Sequence, residues 1–191
     1  MIFKKKKNVV IEPPIDLNAV GGTGPVNKQR EIESRKSEEI VPAKELIYDA
    51  VVRRADKVML DYTRDAMNGR YLIDGVWHNI EPHDRATADA MLVVLKVLSG
   101  MKPEERRARQ EGKFQVEHKS TRAKCNGTIT SQGVKTGERV IIELVPKKGK
   151  VFKTLEDLGM RQQLQNRLRE YLREESGLVL ISAPPGGGFT T

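Results

Sequence analysis

The chain has few of the residues that mark secreted, metal-bound or nucleic-acid-stacking proteins. One of its 191 residues is cysteine, Cys125, which rules out an intramolecular disulfide and fits a reducing compartment. The histidines His78, His83 and His118 show no zinc-ligand spacing with it. Aromatic residues make up 5% of the sequence, so stacking on bases is poorly provided for. No run approaches the ~18 apolar residues of a membrane-spanning helix. The start, MIFKKKKNVVIEPP, lacks the apolar stretch that a signal peptide places behind its lysines. These absences argue against export, membrane insertion and a zinc site.

What is present is charge, unevenly spread. Lys+Arg 34 against Asp+Glu 26 gives +8. Lys102–Lys124 carries 8 positive and 4 negative residues, and Lys147–Glu175 carries 8 and 5. A basic module binding nucleic acid or acidic lipid through Lys4–Lys7 and the 102–124 patch is one reading of this. It has only Phe114 inside the patch for stacking, so no nucleic-acid partner is expected. Residues 1–40 hold Pro13-Pro14, the run Gly21-Gly22-Thr23-Gly24-Pro25 and no sustained hydrophobic period. They read as a disordered tail or linker.

Periodic order begins at Pro42, where Ala43, Leu46, Ile47, Ala50 and Val51 recur at helical spacing. Val58–Tyr62 predicts a strand. Arg70–Ile73 and Val76–Asn79 predict a hairpin about Asp74-Gly75, a pair suited to the positive φ of a tight turn. Asp84–Leu98 predicts a second helix ended by Gly100, and Phe114–His118, Lys124–Thr130 and Arg139–Val145 predict three strands. Helices followed by antiparallel strands give an α+β class for residues 41–147. Past Pro146 the pattern changes to a capped turn at Thr154–Asp157, a helix lined by Met160, Leu164, Leu168, Tyr171 and Leu172, and the apolar run Leu178–Ile181. That run predicts a strand buried in a parallel sheet, so 148–191 reads as the incomplete start of an α/β domain.

The loop after it, Ser182-Ala-Pro-Pro-Gly-Gly-Gly-Phe-Thr-Thr191, nearly meets the phosphate-binding pattern G-x-x-x-x-G-K-[ST]. Ala183 and Phe189 stand where the first glycine and the lysine belong. A phenyl ring cannot supply that lysine's charge to the β- and γ-phosphates. Gly186, Gly187 and Gly188 could still cradle phosphate through backbone N–H groups, with the hydroxyls of Thr190 and Thr191 beside them and Thr190 placed to hold Mg²⁺.

Together these segments resemble the motor ATPases of type II secretion and type IV pilus assembly, from about Pro42 to Thr191. Arg70-Tyr-Leu-Ile-Asp-Gly-Val76 is similar to R-Y-R-I-D-G-V, and Glu105-Arg-Arg-Ala-Arg-Gln-Glu-Gly-Lys113 to E-R-R-x-P-Q-D-G-R. Lys96–Gly100 is similar to K-V-L-A-G, Gly137–Ile141 to G-E-R-V-V, Leu155–Met160 to L-E-x-L-G-[FM], and Gly177–Thr191 to G-[IL]-[IV]-L-V-T-G-P-T-G-S-G-K-[ST]-T.

The resemblance implies a PAS-like amino-terminal domain followed by a RecA-like P-loop domain, and ATP with Mg²⁺ as cofactor. It also implies a homo- or hetero-oligomeric ring, expected to be a hexamer, on the cytoplasmic side of the bacterial inner membrane, with secretion or pilus platform proteins as partners. Its departures fall where chemistry is expected. The family's I-H-I-E-P strand is Val58-Met-Leu-Asp-Tyr62, so Met59 and Asp61 replace His and Glu. Arginines that the family directs at the γ-phosphate align with Leu72 and Thr128, and the arginine of Q-D-G-R is Lys113. The implied function is therefore the amino-terminal part of a ring subunit with an impaired nucleotide site and a structural or regulatory role. The alternative is a motor that retains ATP hydrolysis, with Arg106, Arg107, Arg109 and Lys113 as basic groups able to face phosphate.

Overall fold

The computed structural model describes residues 12–147 and 153–182. Contacts divide the chain into two compact units, Met1–Lys147 and Lys148–Thr191. The first holds β1 (Ile15–Ala19), α1 (Gly24–Arg35), α2 (Ile40–Val52), β2 (Lys57–Tyr62), β3 (Ala66–Ile73) and β4 (Val76–Asn79). It continues with β5 (His83–Asp84), α3 (Arg85–Leu98), β6 (Gln110–His118), β7 (Lys124–Val134) and β8 (Gly137–Pro146). The strands form one antiparallel sheet in the order β1-β6-β7-β8-β2-β3-β4, with β5 paired to β3.

Period-two alternation decides which face is buried. In β2, Val58, Leu60 and Tyr62 are buried and Lys57, Met59 and Asp61 face the other way; in β8, Glu138, Val140, Ile142 and Leu144 are the buried set. The buried sets join Ala43, Leu46 and Ile47 of α2 and Met91, Leu92 and Leu95 of α3 in one core. Full burial of each larger side chain stabilises by roughly 1.5–3 kcal/mol. Within this unit no described helix packs on the opposite sheet face.

The helices start and stop for local reasons. At the start of α3 the Asp84 carboxylate accepts the Thr87 N–H at 3.0 Å, and Gly100, at φ +74, follows the last turn. Asp74 (φ +49) and Gly75 (φ +81) turn the β3–β4 hairpin.

One expectation is corrected here. Residues 15–35 are not a tail: Ile15, Leu17 and Ala19 of β1 are buried, and the strand pairs with β6 from Ile15↔His118 to Ala19↔Phe114. Helix α1, with a proline in its first turn, packs on α3; its Arg30 guanidinium lies against Gly100 beyond that helix's negative end. Glu31 accepts the Ala19 N–H at 3.0 Å and ties the helix to the strand.

In the second unit, Asp157 accepts the N–H groups of Lys153 and Thr154 while Thr154 Oγ1 accepts the Asp157 N–H, a reciprocal cap before α4 (Gln162–Tyr171). Leu178–Ile181 carries no strand assignment, which departs from the expected buried strand; Leu178 is 90% exposed. A strand is defined by a partner's hydrogen-bond ladder, and none pairs with this run among the described residues.

Candidate functional site

The open sheet face gathers the positions at which the sequence departs from its resemblance. Register pairs run Lys113↔Thr128 across β6–β7, Thr128↔Glu143 across β7–β8, Glu143↔Lys57 across β8–β2, Lys57↔Leu72 across β2–β3 and Leu72↔Trp77 across β3–β4. Lys113, Thr128 and Leu72 therefore lie in one cross-strand row. Strands are about 4.8 Å apart, so Lys113 stands beside Thr128 and about 19 Å from Leu72. The middle of the row is closed by Lys57, whose Nζ is 2.7 Å from Glu143 Oε1. Of the three positions only Lys113 carries charge, and its side chain is exposed.

The neighbouring row holds Ile141, Met59 and Arg70 in register. Asp61 collects two arginines, Arg139 Nε at 2.6 Å and Arg70 Nη2 at 3.3 Å. The Arg70 guanidinium also lies 5.9 Å from the centre of the Trp77 ring. The face thus offers three cations already engaged, Lys57, Arg70 and Arg139, the exposed Lys113 at its other end, and the apolar side chains of Met59, Ile141, Leu72 and Trp77.

The arginines of the 105–109 segment go elsewhere. Arg106 and Arg107 line a cleft with Arg85, Lys135 and the turn Gly133–Gly137, apart from Lys113 on its sheet face. Arg106 and Arg85 both bond Asp89, at 3.2 and 2.8 Å. Arg109 is exposed. The segment is irregular. Glu105 Oε1 accepts the N–H groups of Arg107 and Ala108, and those bonds, that of Ala108 foremost, hold its carboxyl below the ordinary 4.5.

Beneath that loop sits a feature the sequence reading missed. Lys96, fully buried on α3, places Nζ 2.5 Å from Glu138 Oε1 and donates to the Glu105 carbonyl at 2.7 Å. Glu138 also accepts from Ser131 Oγ. Gln110 brackets the same loop, accepting the Lys102 N–H at 2.8 Å and donating to the carbonyls of Lys102 and Glu105, each at 3.0 Å. A signal was available: Glu138 holds the inward phase of β8, and Lys96 interrupts the apolar run Leu92–Leu98.

Among the described residues no three His, Cys, Asp or Glu side chains group as a metal site, and no helix is long and apolar enough to cross a membrane. Gly186, Gly187, Gly188, Thr190 and Thr191 lie outside the described residues.

Comparison with known proteins falls on the same segments. The sequence is 27% identical to the type II secretion system protein E of Aeromonas hydrophila over 76% of this chain and 28% of that protein. It is 24% identical to the type IV pilus assembly ATPase PilB of Thermus thermophilus over 85% of this chain and 20% of that protein. For a putative type II secretion system protein E of Escherichia coli the identity is 22%, over 95% of this chain and 36% of that protein. The chain thus spans about a fifth to a third of these relatives' lengths. A model of the family described as type II/IV secretion system protein matches residues 33–191, well over half of the sequence, and the chain belongs to that family.

Proposed function

We propose that this chain is the amino-terminal part of a secretion or pilus ATPase subunit whose nucleotide site is impaired, acting as a structural or regulatory member of an oligomeric ring. In this reading residues 41–147 are a PAS-like domain and residues 148–191 open a RecA-like domain. The carrying observation is the row Lys113, Thr128, Leu72: the positions at which the resemblance expects arginines share one open face, and two of the three are neutral. A leucine or threonine there can shield a neighbouring domain from water but cannot stabilise charge developing on a γ-phosphate. Phe189 removes a further charge from the phosphate loop.

ATP with Mg²⁺, the hydroxyl of Thr190 as a metal ligand, a hexameric ring and platform proteins at the inner membrane remain the associations this reading carries. Its open face would dock on a neighbouring RecA-like domain through Met59, Ile141, Leu72 and Trp77 rather than through ion pairs to nucleotide. The test is ATP titration and steady-state phosphate release by the complete protein. We expect release at blank level, and ATP affinity raised about tenfold or more by Phe189→Lys, the scale of one charge-assisted phosphate contact. Turnover near 1 s⁻¹, ordinary for enzymes, would refute impairment.

A further inference from the structure

At the far end of the helix-covered face, between the end of α2, strand β1, the β6–β7 hairpin and the end of β8, lies a cavity of about 380 Å³. That volume is within the roughly 300–1,000 Å³ of small-molecule sites. Its apolar walls are Ile15, Val51, Ala55, Val116, Leu144 and Pro146, and His118 and Thr121 line it as well. Arg54 and Lys124 also border it against one carboxylate, Asp56, an excess of one positive charge.

Arg54 is the cation of this rim that is left without an acidic partner among the described residues. Lys124 is engaged with Glu117 at 3.2 Å, whereas Arg54 makes no ion pair among the described residues. Arg54 also holds φ +57, a left-handed backbone that glycine or asparagine would occupy with less strain. That backbone ends α2, with the Ala55 N–H bonded to the Ala50 carbonyl at 2.9 Å, and it leaves the exposed Arg54 side chain at the rim of the cavity.

We propose that this cavity binds a free medium-chain fatty acid, its acyl chain between the apolar walls and its carboxylate at Arg54. The single excess charge suits a monoanion, and Asp56 disfavours a doubly charged phosphate head group. The cavity contains its own reporter, because Cys125 lines it and is the sole cysteine of the sequence. Burial pushes that thiol up to about 11, so it stays neutral at pH 7 and suits an apolar wall.

The experiment uses the full chain with hexanoate, octanoate, decanoate and decanol. Each added methylene buried in the cavity should lower the dissociation constant about fourfold, the equivalent of ~0.8 kcal/mol. Decanol should bind about tenfold more weakly than decanoate, for want of the charge-assisted bond. Saturating decanoate should slow modification of Cys125 by N-ethylmaleimide. Arg54→Gly should bring decanoate to the level of decanol while the melting temperature holds or rises, which separates loss of the site from loss of the fold. A dissociation constant independent of chain length, or a Cys125 rate unchanged by decanoate, would overturn the proposal. So would equal affinity of the Arg54→Gly variant for decanoate, and none of these outcomes bears on whether the nucleotide site works.

Discussion

Lys96→Met is the substitution most telling about how this domain is held together. The ammonium it removes is fully buried, and its partner Glu138 is 3% exposed with one carboxylate oxygen, Oε2, already lacking a hydrogen-bond partner. Deleting the lysine leaves that carboxylate as an uncompensated buried charge, a loss of about 3–5 kcal/mol. With a urea m-value near 2 kcal/mol/M, the unfolding midpoint should fall by about 1.5–2.5 M.

The triple variant Lys96→Met, Glu138→Leu, Ser131→Ala removes both charges and the hydroxyl that bonds to Glu138. The Glu105 carbonyl keeps its bond from Gln110, so no new buried acceptor is orphaned there. Replacing a buried pair by apolar groups is neutral or stabilising. The triple variant should therefore recover most of the midpoint lost by the single one. A single variant shifted by less than about 0.5 M, or a triple variant no better than the single, would refute the view that desolvated charge sets the energy.

Two further outcomes depend on titration. Tyr62 donates to the Ala88 carbonyl at 3.1 Å, and burial, with Asp89 and Glu138 nearby, raises its phenol; burial raises Tyr71 in the same direction. Since the folded values lie above the unfolded ones, stability is full below about pH 10 and falls as pH rises, where unfolded tyrosine ionises first. Tyr62→Phe should cost about 0.5–1.5 kcal/mol at pH 7, and with Tyr71→Phe should flatten the alkaline decline in a urea-unfolding series across pH. Glu105 has the opposite sign: a lowered carboxyl contributes stability above its unfolded value and loses it as pH falls through the folded one. The Ala108 amide shift in an NMR titration should therefore move with a midpoint below 4.5, and a midpoint at or above 4.5 would show that the loop bond is not made.

The core strands and helices were legible because their apolar residues keep one period throughout, as Val58, Leu60 and Tyr62 do in β2. Element ends were less so. Strand β6 begins at Gln110, four residues before its first large apolar side chain, because Gly112 fills the inward position there and the outward ones hold Glu111 and Lys113. Strand β1 alternates Ile15, Leu17 and Ala19, but the prolines before it and the glycines after it carried the stronger local signal. Helix α1 has almost no apolar stripe and buries only Ser34, so its place depends on Arg30 and Glu31 reaching other elements, which no local pattern encodes. The row on the open face was illegible for another reason: Leu72, Lys113 and Thr128 stand far apart along the sequence and are aligned only through strand register.

That register divides the motif residues into two kinds. Lys96, Glu105, Gln110 and Glu138 match the motifs that carry the resemblance, and they converge on one buried cluster that fixes the 102–109 loop. Leu72 and Thr128 depart from the family's pattern, and among the described residues no side-chain hydrogen bond depends on them. Substitutions of the second kind cost within about 0.5 kcal/mol of folding stability, whereas loss of Lys96 costs several. A chain can therefore exchange the chemistry of this face and keep the fold intact. Stability of the domain is in consequence no measure of whether a nucleotide is bound beside it, and the two must be assayed apart.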